Sequence, residues 1–165
     1  MEIERKFLVK KIEQIDLSKY PSKHIVQDYL YSDLLTTIRK RAITENNRTI
    51  YTYTIKTGKK GISVNEMENE ITKEQYDMIP VNNLNTQIRK SRYIIPYLNN
   101  LIIELDVFEG EFEGLVFAEI EFESEEQAYN TVLPNWFDKE LSNSLTNNMM
   151  ATSNRADIER IIDNI

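Results

Sequence analysis

A chain of 165 residues is long enough for one domain with a sizeable core and short for two independent ones, so we expect a single domain over residues 1–165. The sequence has no cysteine, which excludes disulfides, thiolate metal sites and cysteine nucleophiles. The formal net charge of −7 argues against a nucleic-acid partner, because non-specific nucleic-acid binding needs a basic surface. A phosphate ligand would therefore need locally concentrated cations, and a metal would need mainly oxygen ligands.

The amino terminus is charged from its second residue, and no stretch of the chain approaches the roughly 20 apolar residues of a membrane span. We therefore expect a soluble, cytoplasmic protein without a membrane partner. The single histidine, His24, excludes a multi-histidine metal site, and we expect it to be structural.

Strand patterns dominate the chain, because eight segments alternate in polarity or are rich in β-branched and aromatic residues. These segments are Glu2–Val9, Ile25–Tyr31, Thr36–Thr44, Thr49–Thr57, Ser63–Ile71, Thr86–Ile95, Leu101–Phe108 and Val116–Glu123. Turn-like sequences lie between several of them, at Glu45–Asn47, Gly58–Gly61, Asn99–Asn100 and Glu109–Glu111. Short turns join antiparallel neighbours, so the segments predict a large antiparallel sheet.

Helical patterns occur in four places between or after the strands. They are Lys11–Lys19, Lys73–Ile79 behind a Thr72 cap, Ser124–Thr131 behind a Ser124 cap, and Ala156–Ile162. The Asn/Ser-rich stretch Ser142–Asn148 predicts a loop. The fold class is therefore α+β.

Charged residues share one face of most predicted strands, since alternate side chains of a strand point to opposite faces. The first segment places Glu2, Glu4 and Lys6 together. The corresponding sets downstream are Arg39 with Arg41, Lys56 with Thr52 and Thr54, Glu66 with Glu68 and Glu70, Lys90 with Arg92, Glu104 with Asp106, and Glu119 with Glu121 and Glu123. An ordinary sheet with one wet face explains any single strand. It does not explain the segregation by sign, because like charges side by side repel unless something neutralises them.

Closing eight strands into a barrel would bring these faces around a common lumen and turn the apolar faces outward. Clustered Lys and Arg suit a phosphate chain. Clustered carboxylates suit Mg²⁺ or Mn²⁺, which take oxygen ligands and bridge to phosphate oxygens. The pattern therefore predicts a site for a polyphosphate and a divalent metal.

The same segments resemble the CYTH, or triphosphate tunnel metalloenzyme, family, whose hallmark is an ExExK strand at the amino terminus. Here that strand reads Glu2-Ile3-Glu4-Arg5-Lys6. The further matching segments, in order, are Gln27–Leu30, Ile38–Arg41, Thr54–Lys56, Glu66–Glu68, Lys90–Tyr93, Glu104–Gly110 and Gly114–Glu121. The resemblance covers essentially the whole chain and implies an eight-stranded antiparallel β-barrel, the tunnel, with flanking helices.

The resemblance also implies an activity, because short bacterial members of this family are commonly tripolyphosphatases. We expect Mg²⁺- or Mn²⁺-dependent hydrolysis of inorganic triphosphate to pyrophosphate and phosphate, by a monomer or homodimer. The implied catalytic residues are Glu2, Glu4 and Lys6. The implied substrate-binding set is Lys6, Arg39, Arg41, Lys56, Lys90 and Arg92, and the implied metal set is Glu2, Glu4, Glu66, Glu68, Glu104, Asp106, Glu119 and Glu121.

The sequence departs from the family pattern in two places. Val64-Asn65 stands where members often have an arginine before the acidic pair of the fifth strand, and Lys40 stands between the two arginines of the third strand, where an apolar residue is usual. We expect Lys40 on the outer face, with its ammonium reaching a polar environment. We also expect Tyr29 to bury its ring and to find a partner for its hydroxyl, and Trp136 to pack rather than to bind a base.

Three other functions remain open at this point. Thiamine triphosphatase and class IV type adenylate cyclase are known activities of the family, although nothing in the sequence visibly recognises a base or a thiazolium ring. A polyphosphate- or nucleotide-binding module without turnover is the alternative of another class. The many carboxylates argue against it, since binding alone needs mainly the cations.

Overall fold

The computed structural model describes the backbone of residues 1–165 and every side chain except those of residues 147 and 148. Its strands are β1 (Glu2–Val9), β2 (Ser22–Ser32), β3 (Thr36–Glu45), β4 (Arg48–Lys60), β5 (Ser63–Ile71), β6 (Ile88–Pro96), β7 (Ile102–Glu109), β8 (Val116–Glu121) and β9 (Phe137–Glu140). Its α-helices are α1 (Lys73–Met78), α2 (Glu125–Asn130), α3 (Asn147–Thr152) and α4 (Arg155–Asp163). All eight predicted strands are present.

The first eight strands form a closed antiparallel barrel, as predicted. Their order is β5-β4-β3-β2-β6-β7-β8-β1, and β1 pairs with β5 to close the ring through Glu2 with Val64 and Ile3 with Ser63. β9 was not predicted as a strand, and it pairs with β1 further along, where Phe7 lies opposite Glu140. β1 therefore pairs at its start with β5 and further along with β9.

Two turns of the barrel show how local sequence sets its geometry. Asn46 and Asn47 both have positive φ (50° and 62°) and form the two-residue β3–β4 hairpin, which confirms that predicted turn. The turn predicted at Gly58–Gly61 is wrong in its first part, because β4 continues to Lys60. Gly58 has a φ of 63° and the β4–β5 register shifts between Thr57 and Lys60, so this glycine marks a bulge within the strand.

Two of the helix predictions are confirmed with their caps. The Thr72 side chain accepts from the Gln75 backbone N–H in a reciprocal capping box, and the Ser124 side chain accepts from the N–H of Gln127. The fourth prediction corresponds to α4, which begins one residue earlier, at Arg155, behind an Asn154 cap.

The other two local predictions need correction. The predicted helix Lys11–Lys19 is replaced by two short 3₁₀ turns, Ile12–Gln14 and Leu17–Lys19, because Ile15 between them is extended. The predicted loop Ser142–Asn148 is wrong at its end, since α3 begins at Asn147 behind a Thr146 cap.

Apolar packing lies on both sides of the barrel wall. On the inside, Leu8, Tyr29, Ile88, Phe108 and Phe117 form one buried cluster. Residues from α3 and α4 join that cluster, including Met150, Ala151, Ile158 and Ile162. By strand alternation, Leu8 and Phe117 share faces with Lys6 and Glu119, so apolar side chains fill one part of the lumen and charged ones the other.

The outer cluster covers the other face of β1, β7 and β8. Ile103, Leu105, Ala118 and Ile120 are fully buried there beneath Ala128 of α2 and the segment around Trp136. No helix in the described part of the chain is both long and apolar enough to cross a membrane.

Candidate functional site: a charged tunnel

The lumen contains two adjoining cavities of about 150 and about 170 Å³, here called the acidic cavity and the side cavity. Charged side chains line the acidic cavity: Glu2, Glu4, Arg39, Arg41, Lys56, Glu66, Glu68, Arg92, Glu104, Glu119 and Glu121. The side cavity shares Glu2, Glu4, Arg39 and Lys56 and adds Lys6, Lys59 and several apolar residues. All residues of the predicted site except Lys90 and Asp106 therefore line one continuous space.

Lys90 and Asp106 lie behind the cavity lining, as part of a buried ionic cluster. Asp106 is 0% exposed and Lys90 1%. One Asp106 oxygen accepts from Lys90 Nζ at 2.6 Å and Arg92 Nη2 at 2.8 Å, and the other accepts from Arg92 Nε at 2.7 Å. Burial alone would raise the pKa of Asp106, but Arg92 and Lys90 outweigh it and hold that pKa below its usual value.

Arg92 connects this cluster to the cavity. Besides Asp106, its guanidinium contacts Glu104 and donates from Nη2 to Glu119 at 3.0 Å. Glu119 also lies 3.5 Å from Lys6 Nζ. Burial opposes ionisation of Glu119, but Lys6 and Arg92 hold its pKa well below the usual range. These carboxylates are therefore neutralised by fixed cations of the barrel.

Glu4 and Glu121 differ from them, because they lie directly opposite each other on β1 and β8 and have no hydrogen-bond or ion-pair partner among the described side chains. Burial, with Glu119 and Glu2 nearby, raises the pKa of Glu4 to about 8. Burial together with Glu2, Glu104 and Glu66 also raises the pKa of Glu121. Like charges directly opposite each other destabilise a sheet, so both carboxylates can ionise together readily only when a cation from outside the protein binds between them.

Excess positive charge lies across the same cavity, on β3. Arg39 Nε is buried without a hydrogen-bond partner among the described residues, and Arg39 Nη2 is 3.9 Å from both Glu66 and Glu68. Arg41 Nε donates at 2.7 Å to the neutral Gln27 amide oxygen. Burial, with Arg39 and Arg92 nearby, lowers the pKa of Arg41 to about 10. Arg39 therefore reaches its two carboxylates only at the limit of ion-pair distance, and Arg41 has no carboxylate within that distance among the described side chains.

The structure adds site residues that the sequence reasoning did not assign. Gln27 orients Arg41 and donates to the Tyr29 hydroxyl at 3.2 Å, and Thr54 donates to Glu68 at 2.9 Å. Thr54 was visible as an inward position of β4 beside Lys56, whereas Gln27 lies on β2, which carried no residue of the predicted site. Lys59 was missed for another reason: the bulge at Gly58 breaks the alternation that placed Lys56.

Three expectations about residues away from the chemistry are confirmed. Tyr29 is buried with its hydroxyl bonded to Gln27. Lys40 lies on the outer face, where its ammonium donates to the Tyr76 and Ile79 carbonyls at 2.9 Å each and sits 4.1 Å from the centre of the Tyr76 ring. Trp136 packs edge-on against Phe137. His24 lies outside both cavities and contacts Glu109 at 3.1 Å.

No family model matches the chain. A protein from Nitrosomonas europaea named inorganic triphosphatase is 33% identical over 141 residues, which span 86% of this chain and 89% of that protein. A solved structure of an inorganic triphosphatase superposes with a TM-score of 0.62 at 29% identity, covering 93% of this chain and 95% of the other.

A protein from Hippeastrum described with a dominant triphosphatase activity has the same fold at 21% identity, with a TM-score of 0.52 over 78% of this chain and 83% of that one. The barrel and the ExExK strand agree with the 33% identity to the inorganic triphosphatase of Nitrosomonas europaea. The chain therefore belongs to the inorganic triphosphatase family of triphosphate tunnel proteins.

Proposed function

We propose that this protein hydrolyses inorganic triphosphate to pyrophosphate and phosphate inside the tunnel, with Mg²⁺ or Mn²⁺. The observation that supports it is the coexistence of weakly paired cations and weakly paired carboxylates in one cavity. Arg41 has no carboxylate within ion-pair distance among the described side chains, and Arg39 reaches Glu66 and Glu68 only at 3.9 Å. Glu4 and Glu121 make no ion pair with a described side chain, although Lys6 and Lys56 lie near enough to act on Glu4. A metal–triphosphate complex carries the two complementary charges.

The phosphate chain would bind to the basic side of the tunnel. Arg39 brings a buried Nε–H that has no hydrogen-bond partner among the described residues, and Arg41 brings donors beyond the one used by Gln27. Lys6 and Lys56 flank them, the latter held by Glu2 at 2.7 Å and Glu66 at 3.3 Å. Lys90 and Asp106 would act indirectly, by fixing Arg92 in its orientation.

The acidic side fits a hard divalent cation in its donor chemistry. Glu4 and Glu121 offer carboxylate oxygens that no cation of the described side chains binds, and burial together with neighbouring carboxylates raises the pKa of both groups. No three acidic or histidine side chains in the described part of the chain converge on a single point as they stand. Glu4 and Glu121 would therefore be the principal ligands, with substrate oxygens completing the set. A bound Mg²⁺ or Mn²⁺ would supply charge neutralisation for the phosphates and acidify water at the site.

Catalysis in such a site needs positioning and electrostatics more than a covalent intermediate. The arginines and lysines would hold the triphosphate extended along the tunnel. They would also stabilise the charge on its oxygens as the phosphoanhydride bond breaks. The chain has no cysteine and its only histidine lies outside both cavities, so neither residue type is required by this proposal.

A panel of triphosphates assayed with and without Mg²⁺ or Mn²⁺ tests the proposal. We expect phosphate release from inorganic triphosphate to be far faster than from ATP or thiamine triphosphate, and to stop when the metal is chelated. Faster hydrolysis of thiamine triphosphate, or rapid formation of cyclic AMP from ATP, would replace the proposal with the corresponding alternative. Tight triphosphate binding without turnover under any metal would favour a binding module.

A further inference from the structure

We infer that Lys59 is an additional phosphate-binding residue of the tunnel and holds the end of the phosphate chain remote from Glu121. This inference rests on the proposed function and extends it to a residue outside the charged sets of the regular strands. It is carried by the position of Lys59 at the side cavity, by the groups around its ammonium, and by its contact with Ser142.

The bulge at Gly58 brings Lys59 to the cavity. Along β4 the inward residues are Thr52, Thr54 and Lys56, so uninterrupted alternation would place residue 58 inward and residue 59 outward. The register shift between Thr57 and Lys60 changes this parity. As a result Lys59 lines the side cavity together with Lys6, Arg39 and Lys56, whereas Lys60 lines neither cavity.

The ammonium of Lys59 is held but not neutralised. Its Nζ donates to the Ser142 carbonyl at 2.9 Å, and no carboxylate of the described side chains lies within ion-pair distance. An ammonium has three donors, so two remain beyond the one that Ser142 accepts. Although Lys59 as a whole residue is exposed, desolvation of its ammonium lowers its pKa, with Lys6 and Lys56 adding to this effect and Glu4 opposing it. An added anion at this point would relieve the repulsion among the three lysines.

Of the carboxylates that line the side cavity, Glu2 and Asp33 already have partners. Glu2 is bound to Lys56 at 2.7 Å. Asp33 accepts from the backbone N–H groups of Leu35 and Thr36 and from the Tyr31 hydroxyl, within its own loop. Glu4 remains, and it is shared with the acidic cavity, where we place the metal. No carboxylate of the side cavity is therefore paired with Lys59, and its ammonium can bind an anionic substrate.

The Ser142 carbonyl that holds Lys59 is itself fixed. The Ser142 hydroxyl accepts from the Lys6 backbone N–H at 3.0 Å and donates to Glu140 at 2.9 Å, and Glu140 is in turn bound by Arg5 at 2.8 Å.

Glu121 lines only the acidic cavity, whereas Lys59 lines only the side cavity. Lys59 and Glu121 thus lie at opposite ends of the two adjoining cavities. A phosphate bound to Lys59 would be remote from attack near Glu121, so Lys59 would hold it equally in the ground state and in the transition state.

The test compares Lys59→Gln with Lys60→Gln, its neighbour that lines neither cavity, in steady-state hydrolysis of inorganic triphosphate. Glutamine keeps a donor for the Ser142 carbonyl and removes the charge. We expect KM to rise about tenfold in K59Q with kcat nearly unchanged, because a charge-assisted hydrogen bond is lost equally from both states. K60Q should match the wild type, and K59R should restore KM. Equal urea midpoints for the variants would exclude a general loss of folding.

An unchanged KM in K59Q, with normal hydrolysis by the wild type, would overturn the role of Lys59 and leave the proposed function standing. A fall in kcat alone would also contradict it. Calorimetric titration with triphosphate covers the remaining case: if the wild type neither hydrolyses nor binds triphosphate, both proposals fail. If it binds without turnover, K59Q must bind about tenfold more weakly for the inference to hold.

Discussion

Asp106 and Glu4 are both carboxylates on the inward face of the barrel, yet their surroundings differ in charge. Asp106 receives three hydrogen bonds from Lys90 and Arg92, which keep its pKa low. Glu4 faces Glu121 across the strand pair, and its pKa rises to about 8. The difference shows that one inward face contains two kinds of acid, one neutralised by the protein and one that requires a charge from outside it.

The cations show the same division. Arg92 forms ion pairs with Asp106, Glu104 and Glu119, whereas Arg41 donates to the neutral Gln27 amide. The closely paired groups belong to the neighbouring strands β6, β7 and β8, whereas the weakly paired Arg39 and Arg41 lie across the lumen on β3. The barrel therefore has a rigid ionic framework on one side and ligand-binding charges around the cavity.

The largest expected effect is on the framework. Asp106→Asn would leave Lys90 and one edge of Arg92 buried without their counter-ion, so we expect the free energy of unfolding to fall by about 3–5 kcal/mol. Urea denaturation followed by circular dichroism measures it. The double variant Lys90→Met with Asp106→Leu removes Lys90 together with its counter-ion and should recover the part of the loss that is due to Lys90, whereas Arg92 keeps only Glu104 and Glu119. A decrease below about 1 kcal/mol in the single variant would show that the cluster is not a framework.

Glu4→Gln should have the opposite profile, with turnover lost and folding retained. Removing the charge eliminates a proposed metal ligand, so we expect kcat for triphosphate to fall by about two to three orders of magnitude. The matched control is Glu13→Gln, which neutralises an exposed carboxylate on a 3₁₀ turn outside the tunnel. Full activity in E4Q would refute the assignment of the metal to this part of the cavity.

The same variant should change the pH dependence of stability in the absence of metal. Because burial raises the pKa of Glu4 from 4.5 to about 8, the folded state binds its proton more tightly than the unfolded state does. The stability from this group is therefore complete below about pH 4.5 and is lost as the pH rises to about 8. Urea titrations with a chelator at several pH values should show this decline in the wild type and a flatter profile in E4Q. Identical slopes would contradict the raised pKa.

The smallest effect is expected at the surface pair His24 and Glu109, whose side chains are 41% and 45% exposed. Glu109→Gln alters a half-exposed contact that solvent already screens, so the free energy of unfolding should change by less than about 0.5 kcal/mol. Triphosphate hydrolysis should also stay at the wild-type rate, since neither residue lines the tunnel. A loss comparable to that of Asp106→Asn would remove the distinction between framework charges and surface charges.

The sequence alone predicted the barrel strands and most of the cavity lining, because strand alternation is a local property of the backbone. Glu2, Glu4 and Lys6 face the lumen for that reason alone. Elements without a regular pattern were less predictable. β9 has four residues and forms only against β1, and Ile15 interrupts the expected first helix. Lys59 escaped prediction because one bulged residue reverses the faces of the residues that follow it.

Only the tertiary structure decided which charges neutralise each other. Strand register places Asp106 opposite Arg92, Glu104 opposite Glu119 and Glu4 opposite Glu121, and each pairing joins residues that are distant in sequence. The alternating pattern determined that all these charges point inward. Their electrostatic roles depend on distances of a few ångströms between strands, because ion pairing and burial change over that range.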